Sequence, residues 1–132
     1  MTNPPPIEVV LIRQVGGYLA TPLFLVDEDG NLDYYNEPAE ILLGHRYEET
    51  GQMPLAEWGS MFSPTDGLGR PMSSDDLPLA RALADRSPAQ GSFFIRGLDG
   101  MSRQLSVTAV PLEGPGGTDL GALAIFWALP RR

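Results

Sequence analysis

The end of the chain alternates apolar runs with turn-forming clusters in the pattern of an antiparallel meander. Strand-like segments occupy residues 93–96, 103–111 and 120–127, with Asp99-Gly100 between the first two and a Gly-rich run, residues 114–118, between the last two. An Asp-Gly pair between alternating apolar runs is a strong hairpin signal, because the tight turn needs positive φ values that these residues tolerate. From Gln104 to Val110, polar Gln104, Ser106 and Thr108 alternate with Leu105, Val107 and Ala109. A period of two places one set on a buried face. Phe93 and Ile95 form the matching inner pair on the preceding strand. A shorter pair of strands, residues 23–26 and 32–35, folds about Asp29-Gly30.

Helical signals lie before and between the two sets of strands. Three prolines in residues 4–6 make an extended lead-in, since Pro cannot occupy a helix interior. A helix is predicted over residues 7–19: Ile7, Leu11, Val15 and Tyr18 follow the spacing of one helical face, and Val9, Val10 and Ile12 add apolar surface beside it. Gly16-Gly17 weakens its last turn by about 1 kcal/mol per Gly, Pro22 stops it, and Thr21 is pushed to extended geometry. Asn36-Glu37-Pro38 has the chemistry of a helix start, with Asn as cap, Glu at the positive end and Pro in the first turn. That helix should run through Leu43 and stop at Gly44. Pro54, Pro64 and Gly67 break the following stretch into short turns and loop. Ser73-Ser74-Asp75-Asp76 is a cap-rich cluster before Leu77-Pro78, and a second clear helix carries Leu79 and Leu83 one turn apart before fraying near Ser87-Pro88.

Composition closes several classes of function. With 132 residues the chain has room for one core. Its net charge of -8 repels phosphate backbones and disfavours nucleic acid as a partner. Every basic residue is Arg, so a Walker-type phosphate loop and Schiff-base chemistry are excluded. Cys is absent, which removes disulfides, thiol nucleophiles and thiolate metal sites. No run approaches the ~18 apolar residues of a membrane span, and residues 1–6 lack the pattern of a signal peptide. A cytoplasmic protein is the expectation.

Reactive constellations are equally scarce. His45 is the lone histidine and reads as a loop residue rather than a ligand, since metal sites need several convergent donors. Asp27, Glu28, Asp29 and Asp33 cluster around a turn; a cation site is one reading, turn chemistry the commoner one. Asp75 and Asp76 read as helix caps. The serines have no histidine in a helpful context. Residues 114–121 are Gly-rich but lead into a strand, so they offer no phosphate cradle at a helix N-terminus.

The stretch LFLVDEDGNLDYYNEPAEILLG resembles the opening of a PAS domain, with its strand, Asp-rich turn, strand, Asn cap and short helix. LPLARALADRSPAQGSFFIRGLDGMSRQLSVTAVPL followed by GALAIFW resembles the second half of that family. The resemblance implies an α+β fold: a five-stranded antiparallel sheet in the order 2-1-5-4-3 with short helices on one face and an N-terminal helix. The division expected is an N-terminal lead-in and helix over residues 1–21, a PAS-like domain over 22–128 and a short tail over 129–132. The family's Asp-Ile-Thr-like exit is replaced by Ala128-Leu129-Pro130-Arg131-Arg132, which points to a freestanding domain acting on a signalling partner in trans.

In such a fold a ligand sits between the inner sheet face and the irregular middle helices. By that register the wall is Phe24, Val26, Phe93, Ile95, Leu105, Val107 and Phe126. The lid is Leu42, Trp58, Met61, Phe62, Leu79 and Leu83. So apolar a lining suits a small apolar molecule; the same side chains could instead fill the core against one another. A haem-ligating His is not expected, because the long-helix counterpart has none, and without Cys there is no covalent flavin site. Ala122, Ala124 and Phe126 point inward by family register, yet Leu123, Ile125 and Trp127 are apolar too. A strand apolar on both faces needs both covered. The cover is either docking of the N-terminal helix within a monomer or a homodimer built on Ile7, Leu11, Val15 and Tyr18 with Leu123, Ile125 and Trp127; we favour the homodimer. The functional expectation is a non-enzymatic signalling module. It senses a small apolar ligand, mediates protein–protein interaction in trans, or both. The alternative is a ligand-free docking scaffold with a filled core.

Overall fold

The computed structural model describes residues 6–43, 53–54, 57, 63–96 and 102–128. Helix α1, Ile7–Gly16, leads into strands β1, Leu23–Val26, and β2, Leu32–Tyr35. Helix α2, Glu37–Leu43, follows directly. A 3-10 turn, Ser74–Asp76, introduces helix α3, Pro78–Asp85, and the meander of β3, Ala89–Arg96, β4, Ser102–Glu113, and β5, Asp119–Ala128, completes the chain. The five strands form one sheet in the order β2-β1-β5-β4-β3, and all four pairings are antiparallel. The expected class and strand order are those observed.

Local chemistry sets most boundaries. The Asp27 carboxylate accepts the backbone N–H groups of Asp29 and Asn31 at 3.0 and 2.9 Å and the Asn31 side-chain amide at 3.3 Å, which builds the β1–β2 turn. Turn chemistry therefore accounts for Asp27, while Asp33 pairs with Arg13 at 3.0 Å. Among the described residues no group of three potential ligands is placed to hold a metal. The β4–β5 hairpin closes through a 3-10 turn, Pro115–Gly117, in which the Thr118 hydroxyl donates to the Pro115 carbonyl at 2.8 Å.

Several expected boundaries move. Helix α1 ends at Gly16, three residues short of the predicted stop, because the Gly16-Gly17 pair takes a tight turn instead of another helical one. Strand β3 starts at Ala89, four residues early, pairing Ala89 with Ala109 and Gln90 with Thr108. Asp75 and Asp76 do not cap α3: its N-cap is Leu77, with no side-chain cap bond. The Ser73 hydroxyl caps the preceding 3-10 turn, accepting from the Asp75 N–H at 3.3 Å. Helix α3 stops where Arg86 takes a left-handed conformation, φ 55. Trp58, Met61, Phe62, His45, the Asp99-Gly100 turn and residues 129–132 lie outside the described residues.

The sheet has two unlike faces. Phe24, Val26, Phe93, Ile95, Leu105, Val107, Ala109, Ala122, Ala124 and Phe126 line the inner face and form one buried cluster with Leu42 of α2 and Leu79 and Ala82 of α3. On the outer face Leu23 pairs with Ile125 and Leu25 with Leu123. Over β3 and β4 that face turns polar, with the Gln90 amide donating to the Thr108 hydroxyl at 3.2 Å.

Candidate functional site: the two faces of the sheet

On the inner face the expected wall and the described part of the lid come together. Leu83 packs against the cluster at its edge, partly buried. The Phe24 ring meets Phe126 edge-on at 4.9 Å and Tyr35 at 5.4 Å between centroids. Tyr35 belongs to this wall and was not foreseen; it faces inward because β1 and β2 shift register between Leu25 and Val26. A bulge of this kind resets the two-residue alternation, so a simple inside–outside count fails at that point. Among the described residues no charged side chain is buried with this cluster.

On the outer face α1 lies along the apolar half of the sheet. Leu23 and Leu25 are buried there as fully as the inner wall, and Val9 and Gly16 are the buried residues of the helix. Of the predicted stripe, Ile7, Leu11 and Val15 on α1 are 69, 51 and 54% exposed, and Tyr18, past the end of the helix, is 92% exposed. Trp127 is 47% exposed at the end of β5. Between helix and sheet runs a groove of about 300 Å³, lined by Leu11, Ile12, Val15, Leu19, Leu23, Leu123 and Ile125. The structure thus brings Leu11, Val15, Leu123 and Ile125 together around one apolar groove.

Arg13 and Asn36 are two of the side chains that tie the helix to the described residues. The Arg13 guanidinium bridges to the Asp33 carboxylate and sits 5.7 Å above the Tyr34 ring. Burial pushes the Tyr34 hydroxyl above its ordinary pKa; Arg13 opposes that shift and the Glu40 carboxylate adds to it. The Asn36 contact is polar and fully enclosed. Asn36, 2% exposed, receives the N–H groups of Leu23 and Ala39 on Oδ1 at 3.0 and 3.2 Å. Its Nδ2 donates to the carbonyls of Gly16 and Thr21 at 3.1 and 2.9 Å. Both donors and both lone pairs of the amide are therefore used. The cap on α2 was legible in Asn36-Glu37-Pro38; the bonds to Gly16 at the end of α1 and to Thr21 beyond it were not, because those carbonyls are 20 and 15 residues away.

Comparison with known proteins agrees with this architecture. The family model described as PAS fold matches residues 19–132. Similar solved structures include the PAS domain of a protein from Colwellia psychrerythraea, at 18% identity and TM-score 0.66, covering 95% of this chain and 99% of that one. The PAS domain of nitrogen regulation protein NR(II) from Vibrio parahaemolyticus is 17% identical with TM-score 0.63, covering 90% and 98%. A LOV protein from Rhodobacter sphaeroides is 17% identical with TM-score 0.69, covering 96% and 70%. No curated protein sequence matches the chain. PAS domains are sensory and signalling modules, typically non-catalytic, that commonly mediate protein–protein interaction and dimerisation. Sheet order, helix placement and the match over residues 19–132 together make this chain a member of the PAS family.

Proposed function

We propose that the chain is a non-enzymatic signalling module that pairs with a second copy of itself through α1 and the apolar half of the outer sheet face, and acts on a partner protein in trans. The observation that carries this reading is the exposure of Ile7, Leu11, Val15 and Tyr18 beside an all-apolar groove. An apolar stripe in water next to a groove of like character favours association. Light scattering during size exclusion tests it. A dimer mass is expected at micromolar concentration, and Leu11→Glu with Val15→Glu should return the monomer. A monomer mass at every concentration refutes the pairing.

A second element of the proposal is that the inner face holds a small apolar molecule. The cluster of Phe24, Val26, Leu42, Leu79, Phe93, Ile95, Leu105, Val107 and Phe126 supports it, through its uniformly apolar lining. Leu83 belongs to the proposed lid. The competing reading is a filled core, favoured by the close ring contacts of Phe24 with Phe126 and Tyr35. Native mass spectrometry separates the two. Added mass that disappears on denaturation supports the sensor; its absence leaves a docking scaffold.

A further inference from the structure

We infer that the Asn36 side-chain amide couples the two faces of the sheet, tying the docking of α1 on the outer face to the position of α2 on the inner face. The inference takes its use from the proposed signalling role, but its physical content does not depend on that role.

One planar carboxamide holds four groups, one each from α1, the connection to β1, β1 and α2. The Oδ1 side receives the Ala39 N–H, one of the donors left open at the start of α2, and the Leu23 N–H at the start of β1. The Nδ2 side donates to the carbonyls of Gly16, the last residue of α1, and of Thr21 in the connection to β1. The Asn36 main chain is engaged as well: its N–H donates to the Leu23 carbonyl at 3.3 Å and its carbonyl accepts from the Glu40 N–H at 3.0 Å. Because the amide is flat and saturated, α2 cannot shift without stretching or turning it, and turning it releases the carbonyl of Gly16.

The two helices differ in what else holds them. Leu42 of α2 is buried in the inner cluster. Helix α1 has only 10 residues, too few to be stable alone in water, and several of its apolar residues remain exposed. Among the described residues its other fixed points include the Arg13–Asp33 pair, with Arg13 42% exposed, and the buried Val9 and Gly16. Docked and released α1 are therefore two states whose balance a small displacement of α2 can shift.

Hydrogen exchange on the full chain, read by mass spectrometry, tests this. Ser caps a helix nearly as well as Asn but cannot reach back to α1, so Asn36→Ser cuts the tie and keeps the cap. Exchange across residues 9–16 should rise about 5-fold, the effect of losing the one neutral hydrogen bond that reaches α1, on the Gly16 carbonyl, while residues 39–43 change far less. Leu42→Ala, which loosens α2 from the inner cluster, should speed exchange in α1 of the otherwise native chain and have no such effect once Asn36→Ser is present. If Asn36→Ser does not fold, Asn36→Thr serves the same purpose, keeping a hydroxyl cap on α2 with no amide donor to reach Gly16. The inference is overturned if α1 amides are unprotected in the native chain, if cutting the tie leaves them unchanged, or if the Leu42→Ala effect on α1 persists without it. The experiment needs neither ligand nor partner. A monomer mass would sink the pairing proposal and leave the coupling standing; uncoupled exchange would do the reverse.

Discussion

Replacing Gly121 by Ala should be among the most damaging single-methyl additions to this fold, and the size of the effect follows from two separable terms. Gly121 lies in β5 with φ +108, a conformation that costs an L residue about 1–3 kcal/mol. An added Cβ would also run into the Val26 carbonyl oxygen and come within 2.9 Å of the Asp27 backbone. These are main-chain atoms that no rotamer change can move. Relief requires β1 and β5 to part beside the Val26–Ala122 pair, stranding one or two backbone groups at about 1–3 kcal/mol each. Together the terms reach roughly 4 kcal/mol, a large share of the total stability of about 7–20 kcal/mol that a chain of this length holds, and lower Tm by ~15 °C. Two other glycines isolate the terms. Gly117 has φ +78 and open space within 4 Å of where a methyl would sit, so Gly117→Ala should cost only the conformational ~1 kcal/mol. Gly67 has open space and no such conformation, and Gly67→Ala should stay within about 0.5 kcal/mol of neutral. Urea unfolding followed by far-UV circular dichroism gives the three midpoints. Should Gly121→Ala fall within about 1 kcal/mol of Gly117→Ala, the close approach of β1 to β5 is not a rigid constraint.

Other expectations are simpler. Phe126→Ala removes a buried ring that meets Phe24 at 4.9 Å and should cost about 3–5 kcal/mol in the same unfolding assay. Arg13→Ala, at a partly exposed ion pair, should cost no more than about 1 kcal/mol; it should also raise the Tyr34 pKa further, since Arg13 is the cause acting to lower it, which an ultraviolet phenol titration against Tyr34→Phe would show. Because the folded Tyr34 holds its proton longer than an unfolded tyrosine, its contribution to stability is present below pH ~10 and is lost as pH rises beyond that. Asp66 runs the other way. The Arg70 backbone N–H is the leading cause holding its carboxyl below the ordinary 3.8, with the Leu68 N–H and the Arg70 side chain adding to it against some desolvation. Its loop contacts should persist above the unfolded pKa and weaken as pH falls through the lower folded one; a carboxyl-carbon NMR titration with a midpoint at or above 3.8 would contradict this.

Most of the strands and the Asn36 cap were readable from the residues because each depends on neighbours close in the chain. The two-residue alternation from Gln104 to Val110 fixes which side of β4 is buried, and Asn36-Glu37-Pro38 fixes where α2 begins, whatever the rest of the molecule does. Helix α1 shows where that legibility stops. Its apolar residues cover more than one side, so periodicity identified Ile7, Leu11, Val15 and Tyr18 as a stripe without saying whether the stripe would be covered or exposed. Only packing decided it, by burying Val9 and Gly16 and leaving the stripe residues half-exposed or more. The inward turn of Tyr35, the reach of Asn36 to Gly16 and the need for glycine at position 121 share one origin. Each is set by backbone atoms brought close by the sheet from distant parts of the chain, and a pattern of neighbouring residues carries no information about atoms that meet only when the fold closes.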